Sequence, residues 1–153
     1  MRSRTAQACL SLLLFMFLFL TGLAVVSTAA NAQDGVLTIE IDGLKSDQGT
    51  VMIALFNSAE SFMDVDKAFR REARPISGMA CQWVIQDLPA GRYGVSIFHD
   101  ENGNSKLDTG LFGAPKEPYG FSNNARARFG PPDWDAVVFD FKPPAQTMVI
   151  KVE

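Results

Sequence analysis

Two runs of alternating apolar and polar residues meet in the stretch CQWVIQDLPAGRYGVSIFHD, residues 81–100. Apolar residues occupy positions 81, 83 and 85 in the first run and positions 93, 95 and 97 in the second. A period of two residues is typical of a β-strand with one buried face. Pro89 favours a turn and Gly91 permits positive φ, so the stretch predicts two strands joined by a tight hairpin.

Similar strand patterns recur on both sides of this stretch. Five further segments carry them, at residues 37–41, 50–57, 70–76, 137–141 and 148–152. The segment at 50–57 is apolar at both alternating sets of positions, which indicates a central strand covered on both faces. Seven short strands of this kind predict an all-β fold, an antiparallel seven-stranded β-sandwich.

One short helix and one long loop complete the predicted fold. Apolar residues at 62, 65 and 69 share a helical face, and Ser58 or Ser61 is placed to cap that helix. Residues 100–135 show no regular period but contain five aromatic side chains. This content is too high for a disordered linker, so we expect an ordered loop that packs over one end of the sandwich.

The first 32 residues have the composition of a secretory signal. Two arginines precede an apolar run at residues 10–26, and Ala30 and Ala32 lie where a signal peptidase reads small side chains. An uncleaved membrane anchor is the alternative, because the run is at the short end of what spans a bilayer. We expect cleavage after Ala32, which leaves one domain at residues 33–153 in the bacterial periplasm or outside the cell.

Removal of this segment changes the charge and the cysteine count. Arg2 and Arg4 leave with it, so 12 basic and 17 acidic residues remain and the formal charge goes from −3 to −5. That balance argues against binding nucleic acid or an anionic membrane through a basic patch. Cys9 leaves too, and the position of Cys81 in an apolar strand favours burial over an intermolecular disulfide.

The segment with the most definite chemistry is the acidic loop after residue 99. Oxygen-bearing groups fall at positions one, three, five, seven and nine of this loop, in the order in which an EF-hand-like loop presents oxygen ligands to a hard cation, Ca²⁺ above all. The candidate ligands are Asp100, Asn102, Asn104, the carbonyl of Lys106, and Asp108.

The match to a calcium loop is incomplete. Ser105 stands at position six, where glycine is usual, and Leu111 stands at position twelve, where a bidentate Glu is usual. We therefore expect weak binding. The alternative is an Asx-rich loop whose side chains bond to its own backbone without a metal.

Two other sets of residues suggest different functions. The first is His99, the only histidine, which could act as a base beside Asp100 or Glu101 in a hydrolase. No serine or cysteine nucleophile is evident as its partner, so no catalytic residue is assigned. One His and one Cys also do not supply a zinc site. The rings of Tyr119, Phe121 and Trp134 suggest a carbohydrate- or peptide-binding surface, unless they belong to the core.

Paired arginines lie further along the long loop. Arg126 and Arg128 stand two residues apart, where they can hold an anionic ligand if both face the same way. The simpler interpretation is ion pairing with acidic neighbours such as Glu101, Glu117 or Asp133.

Several motifs in the chain resemble an exported bacterial family, domain of unknown function 2141. They are LPAGRY at 88–93, HDENGN at 99–104, KLD at 106–108, GAPKEPYGFSNNA at 113–125 and FGPP at 129–132. The resemblance implies an exported single-domain sandwich of transthyretin-like, collagen-binding-B-like or immunoglobulin-like architecture, without an assigned activity. Transthyretin-like hydroxyisourate hydrolases share that architecture, but their several histidines and their C-terminal Tyr-Arg-Gly-Ser signature are missing from this sequence.

Together, these patterns predict an exported, non-enzymatic β-sandwich protein. We expect the loop at residues 100–108 to bind Ca²⁺ weakly and the partner to be a ligand of the cell envelope. The identities of the ligand and the partner do not follow from the sequence.

Overall fold

The computed structural model describes residues 34–153, so the predicted signal segment lies outside the described residues. The described part is mostly β, with eight strands in two sheets and one short α-helix. The strands are β1 (Gly35–Asp42), β2 (Thr50–Phe56), β3 (Arg70–Pro75), β4 (Cys81–Leu88), β5 (Gly91–Asp100), β6 (Tyr119–Phe121), β7 (Phe139–Phe141) and β8 (Ala145–Lys151). The helix, α1, is Trp134–Val137, and single 3₁₀ turns lie at Val65–Lys67, Leu111–Gly113 and Ser122–Asn124.

The two sheets share one hydrophobic core. The first sheet has the order β4-β1-β8, and the second has the order β3-β2-β5-β6, with β7 paired to the start of β5. Alternation directs Leu37, Ile39 and Ile41 of β1 into the core, while Thr38 and Glu40 face away from it. Burial of each such aliphatic side chain stabilises the fold by about 1.5–3 kcal/mol.

The prediction of seven antiparallel strands is wrong in two respects. An eighth strand, β6, lies in the stretch predicted to be a loop, and β1 pairs in parallel with β8 over Val36 to Asp42. β6 has only three residues, and neither Pro118 before it nor Ser122 after it extends an apolar alternation, so β6 is not visible in the sequence. Which strand becomes the neighbour of β1 depends on contacts more than 100 residues apart in the chain.

The predicted hairpin between β4 and β5 is also wrong, because the two strands belong to different sheets. The chain crosses from one sheet to the other at Pro89 and Ala90. Tyr93 is buried, and its hydroxyl donates a hydrogen bond to the carbonyl oxygen of Pro89 at 3.0 Å. This bond to a backbone oxygen a few residues upstream resembles the tyrosine corner of β-sandwiches, which stabilises a crossing between sheets.

The helix predicted near Ser58–Phe69 does not form. Ser58 accepts the N–H of Ser61 through its Oγ, but Met63 then adopts φ 69°, which takes the backbone out of the helical region. Phe62 instead packs against Phe56 at 5.5 Å between ring centroids. The segment keeps only turns and the 3₁₀ turn at Val65–Lys67.

The prediction that Cys81 is buried is confirmed. Its residue is 7% exposed, and burial raises the pKa of the thiol. Within residues 34–153, no helix is long and apolar enough to cross a membrane.

Candidate functional site

Asp100 is the last residue of β5 and organises the loop that follows it. It is 1% exposed, and its Oδ1 accepts the backbone N–H groups of Gly103 at 2.8 Å and Asn104 at 3.2 Å. Its Oδ2 accepts the N–H of Ser105 at 2.7 Å. These three bonds curl the chain around one carboxylate, and the curl requires positive φ at Gly103 and Ser105.

The other predicted side-chain ligands meet at Asp108. Asn102 Nδ2 lies 2.7 Å from one carboxylate oxygen of Asp108, and Asn104 Nδ2 lies 3.0 Å from the other. The Oδ1 atoms of the two amides accept the backbone N–H groups of Asn104 and Lys106. Three of the five predicted ligand residues, Asn102, Asn104 and Asp108, thus form one hydrogen-bonded group through their side chains.

A hard cation requires oxygen atoms where these amides present nitrogen. A half-turn of each amide exchanges Oδ1 and Nδ2 and directs two more oxygens toward Asp108. This rotation breaks the two hydrogen bonds from Nδ2 to Asp108 and the two hydrogen bonds that Oδ1 accepts from backbone N–H groups, each worth about 1 kcal/mol. Across the described residues, no group of three His, Cys, Asp or Glu side chains is placed to hold a metal. A cation in this loop would therefore need amide and carbonyl oxygens as additional ligands.

Glu117 is a part of this site that the sequence analysis did not identify. It is 5% exposed, its Oε1 accepts the N–H of Glu101 at 3.0 Å, and its Oε2 accepts the N–H of Asp108 at 2.9 Å. One buried carboxylate thus holds both ends of the loop. The sequence suggests Glu117 only as an ion partner for Arg126 or Arg128, and its place in the GAPKEPYGFSNNA motif is the one signal that points to a larger role.

His99 lies next to the loop but is fully buried. Its Nε2 is 2.6 Å from the carbonyl oxygen of Gln48, and because a carbonyl only accepts, Nε2 carries the proton. Its Nδ1 has no hydrogen-bond partner within the described part of the chain and is 4.0 Å from Glu101 Oε1. Gly49 allows this packing, because it has φ 77° and a Cβ there would overlap the carbonyl oxygen of Asp100. This burial does not favour the hydrolase alternative.

The three candidate aromatic residues do not form one exposed platform. Phe121 is buried, whereas Tyr119 and Trp134 are half-buried. Phe62 packs against both Trp134, at 5.7 Å between centroids, and Phe121, at 6.3 Å. Tyr119 lies beside Arg126, whose guanidinium is 5.8 Å from the ring centroid and pairs with the Glu153 carboxylate at 3.1 Å.

A groove crosses the face of the second sheet that points away from the core, and we call it the outer groove. Its volume is about 660 Å³. Lining residues from the sheet and from the candidate loop include Met52, Ala54, Ala73, Phe98, Leu107 and Tyr119. Trp134 is not among the residues that line it.

Comparison with known families identifies the chain at the level of the family. Residues 39–149 match a family described as "Uncharacterized protein conserved in bacteria (DUF2141)". The chain belongs to this family. The matched range includes the whole loop at residues 100–108, Glu117 and all the lining residues of the outer groove, so these features lie within the family domain. No curated protein and no solved structure matches the chain.

Proposed function

We propose that this member of the family is an exported, non-enzymatic protein that binds Ca²⁺ through the loop at residues 100–108. The observation that carries the proposal is the convergence of the Asn102 and Asn104 side chains on the two carboxylate oxygens of Asp108, at 2.7 and 3.0 Å. The carboxylate of Asp100 accepts three backbone N–H groups and so holds the loop in the curled form that such binding needs.

Calcium binding in this loop is coupled to its folding. Rotation of the two amides supplies oxygens, and the cation neutralises the carboxylate of Asp108, so the energy of binding also orders the loop. The two hydrogen bonds that Glu117 accepts, which we call the Glu117 clamp, reduce the entropic cost of ordering the loop on binding, because both ends of the loop are already held. With few carboxylates and two lost backbone bonds, we expect a dissociation constant in the range of extracellular modules, about 10⁻⁴ to 10⁻³ M.

The fold and the burial of His99 support the remaining parts of the proposal. We propose that the two sheets form a sandwich of the transthyretin-like type, which is supported by their shared core and by the Tyr93 bond to Pro89. Burial of His99 supports a non-enzymatic role. The alternative surface of Tyr119, Phe121 and Trp134 has less support, because Trp134 packs on Phe62.

Calorimetric melting of the purified protein in millimolar CaCl₂ and in chelator tests the calcium proposal. At ten times the dissociation constant, binding adds about 1.4 kcal/mol to the free energy of unfolding, so we expect the melting temperature to rise by about 3–11 °C. Asp108→Asn should remove this rise. Asp133→Asn, an exposed control outside the loop, should retain it.

Two results would contradict the proposal. One is a wild-type melting temperature that calcium leaves unchanged, together with no heat of binding on titration. The other is a calcium response in Asp108→Asn equal to that of Asp133→Asn.

A further inference from the structure

The outer groove is built from two rows of side chains that cross the second sheet. Strand register places Met52 opposite both Ala73 and Phe98, and Phe98 opposite Tyr119. The adjacent row, read in the same register, consists of Arg71, Ala54, Ser96 and Phe121. Because successive side chains of a strand alternate between faces, all eight lie on the face away from the core.

This face is unusually apolar for one that is open to solvent. The solvent-facing side of an antiparallel sheet is usually polar. Here Met52, Phe98 and Tyr119 are half-buried, while Met63 and Val65, which also line the groove, are 42% and 47% exposed. The volume of about 660 Å³ lies in the range of small-molecule sites, about 300–1,000 Å³.

The charges along the groove are mainly positive. Arg71, Glu72 and Lys106 are its charged lining residues. The Glu72 carboxylate is paired with Arg74 at 2.8 Å, and Arg71 is paired with Asp66, an almost fully exposed residue, at 3.2 Å. Lys106 takes part in none of the ion pairs among residues 34–153. A ligand in the groove therefore meets an apolar floor whose lining residues include Lys106, a lysine without an ion pair in residues 34–153.

We propose that the outer groove binds a single-chain amphiphile with one anionic head, of the fatty-acid type. The chain lies along Met52, Phe98 and Leu107, and the head pairs with the Lys106 ammonium group. A sugar is less suited to this groove, because Arg71 and Glu72 are already paired and the other polar side chains are the hydroxyls of Ser96, Ser105 and Tyr119 and the single ammonium group of Lys106. The proposal does not depend on calcium, and its test is done in chelator.

Titration calorimetry with decanoate, below its micellar concentration, tests this proposal on the purified protein. We expect saturable binding of decanoate, no binding of acetate, which lacks the chain, and weaker binding of decyl maltoside, which lacks the charge. Ala73→Trp places a large ring on the groove floor and should abolish binding. Ala145→Trp, at an exposed position of β8, is the matched control and should bind like the wild type.

A pair of lysine variants tests the head group without touching the packed sheet. Lys106→Met keeps the length of the side chain and should weaken decanoate binding by about two- to fivefold, the usual value of one exposed ion pair. Lys116→Met, at another exposed lysine outside the lining, should have no effect. Thermal melting checks that each variant is folded.

Three outcomes would overturn the proposal. They are the absence of decanoate binding to the wild-type protein, equal binding to folded Ala73→Trp and Ala145→Trp, and equal weakening in Lys106→Met and Lys116→Met. Equal affinity for decanoate and decyl maltoside would likewise overturn the assignment of an anionic head.

Discussion

Glu117 accepts the backbone N–H of Asp108 at 2.9 Å. This bond closes the base of the loop between the two residues, at whose tip Leu111 and Phe112 are exposed. The second carboxylate oxygen of Glu117 accepts the N–H of Glu101 at 3.0 Å. A carboxylate that is almost fully buried thus bridges the start and the end of the candidate loop. Charge-assisted bonds of this kind are about twice as strong as neutral ones.

Glu117→Gln should therefore be strongly destabilising. The amide keeps one acceptor oxygen, but its NH₂ group faces a backbone N–H that then has no acceptor. We expect the free energy of unfolding in urea to fall by about 2–4 kcal/mol. Glu60→Gln, at an exposed glutamate, is the control and should change it by less than about 0.5 kcal/mol. Equal effects of the two substitutions would show that the clamp does not stabilise the fold.

Ser122→Ala tests a second buried connection. Ser122 is fully buried, its Oγ donates to the carbonyl oxygen of Val137 at 2.6 Å, and it accepts the N–H of Val95 at 2.9 Å. Alanine leaves both backbone groups without partners, so we expect a loss of about 2–4 kcal/mol in the free energy of unfolding. Hydrogen exchange at the Val95 amide should also become faster. If Ser122→Ala lowers the free energy of unfolding no more than the exposed control Ser77→Ala does, the two hydrogen bonds of Ser122 do not stabilise the fold.

Cys81 should react slowly while the protein is folded. Burial hinders access and raises the pKa of the thiol, so the reactive thiolate is disfavoured. Iodoacetamide at pH 8, followed by peptide mapping, should label Cys81 far more slowly in the native protein than in urea. Equal labelling rates would contradict its burial.

The raised pKa of Cys81 also predicts that the stability of the fold depends on pH. Because the folded pKa of Cys81 is above the unfolded pKa, the fold favours the protonated thiol. This contribution is fully present below the unfolded pKa, about 8.5, and is lost as the pH rises through the folded pKa. The stability advantage of the wild type over Cys81→Ala should therefore shrink above about pH 8.5. An advantage that stays constant up to pH 10 would contradict the shift.

Phe112→Gly should stabilise the protein. Phe112 has φ 65° while its ring is fully exposed, so it is strained without gaining packing energy. The left-handed backbone conformation costs a residue with a Cβ about 1–2 kcal/mol, and glycine removes this strain. Part of the gain is offset because glycine loses more conformational entropy on folding. We expect a net gain of about 0.5–1 kcal/mol. Leu111→Gly, at the neighbouring exposed position without positive φ, should give no gain, and equal gains would contradict the argument.

The sequence by itself determined where seven of the eight strands lie and which side chains at their alternating positions are buried. Each of the seven predicted segments overlaps a strand, and Leu37 and Ile97 are buried as the period of two requires. The burial of Cys81 follows from the same pattern. The spacing of Asp100, Asn102, Asn104 and Asp108 also predicted that these residues act together, either as cation ligands or as an Asx-rich loop bonded to its own backbone. All of these are local properties, because alternation and Asx bonding act between residues a few positions apart.

Tertiary structure alone decided how these pieces are joined. It placed β4 and β5 in different sheets, made β8 a parallel neighbour of β1, and brought Glu117 under both ends of the loop. It also aligned Met52, Phe98 and Tyr119, from three different strands, into one groove floor. Pairings between distant segments depend on how whole sheets bury their apolar faces against each other, and no short window of the sequence contains that information.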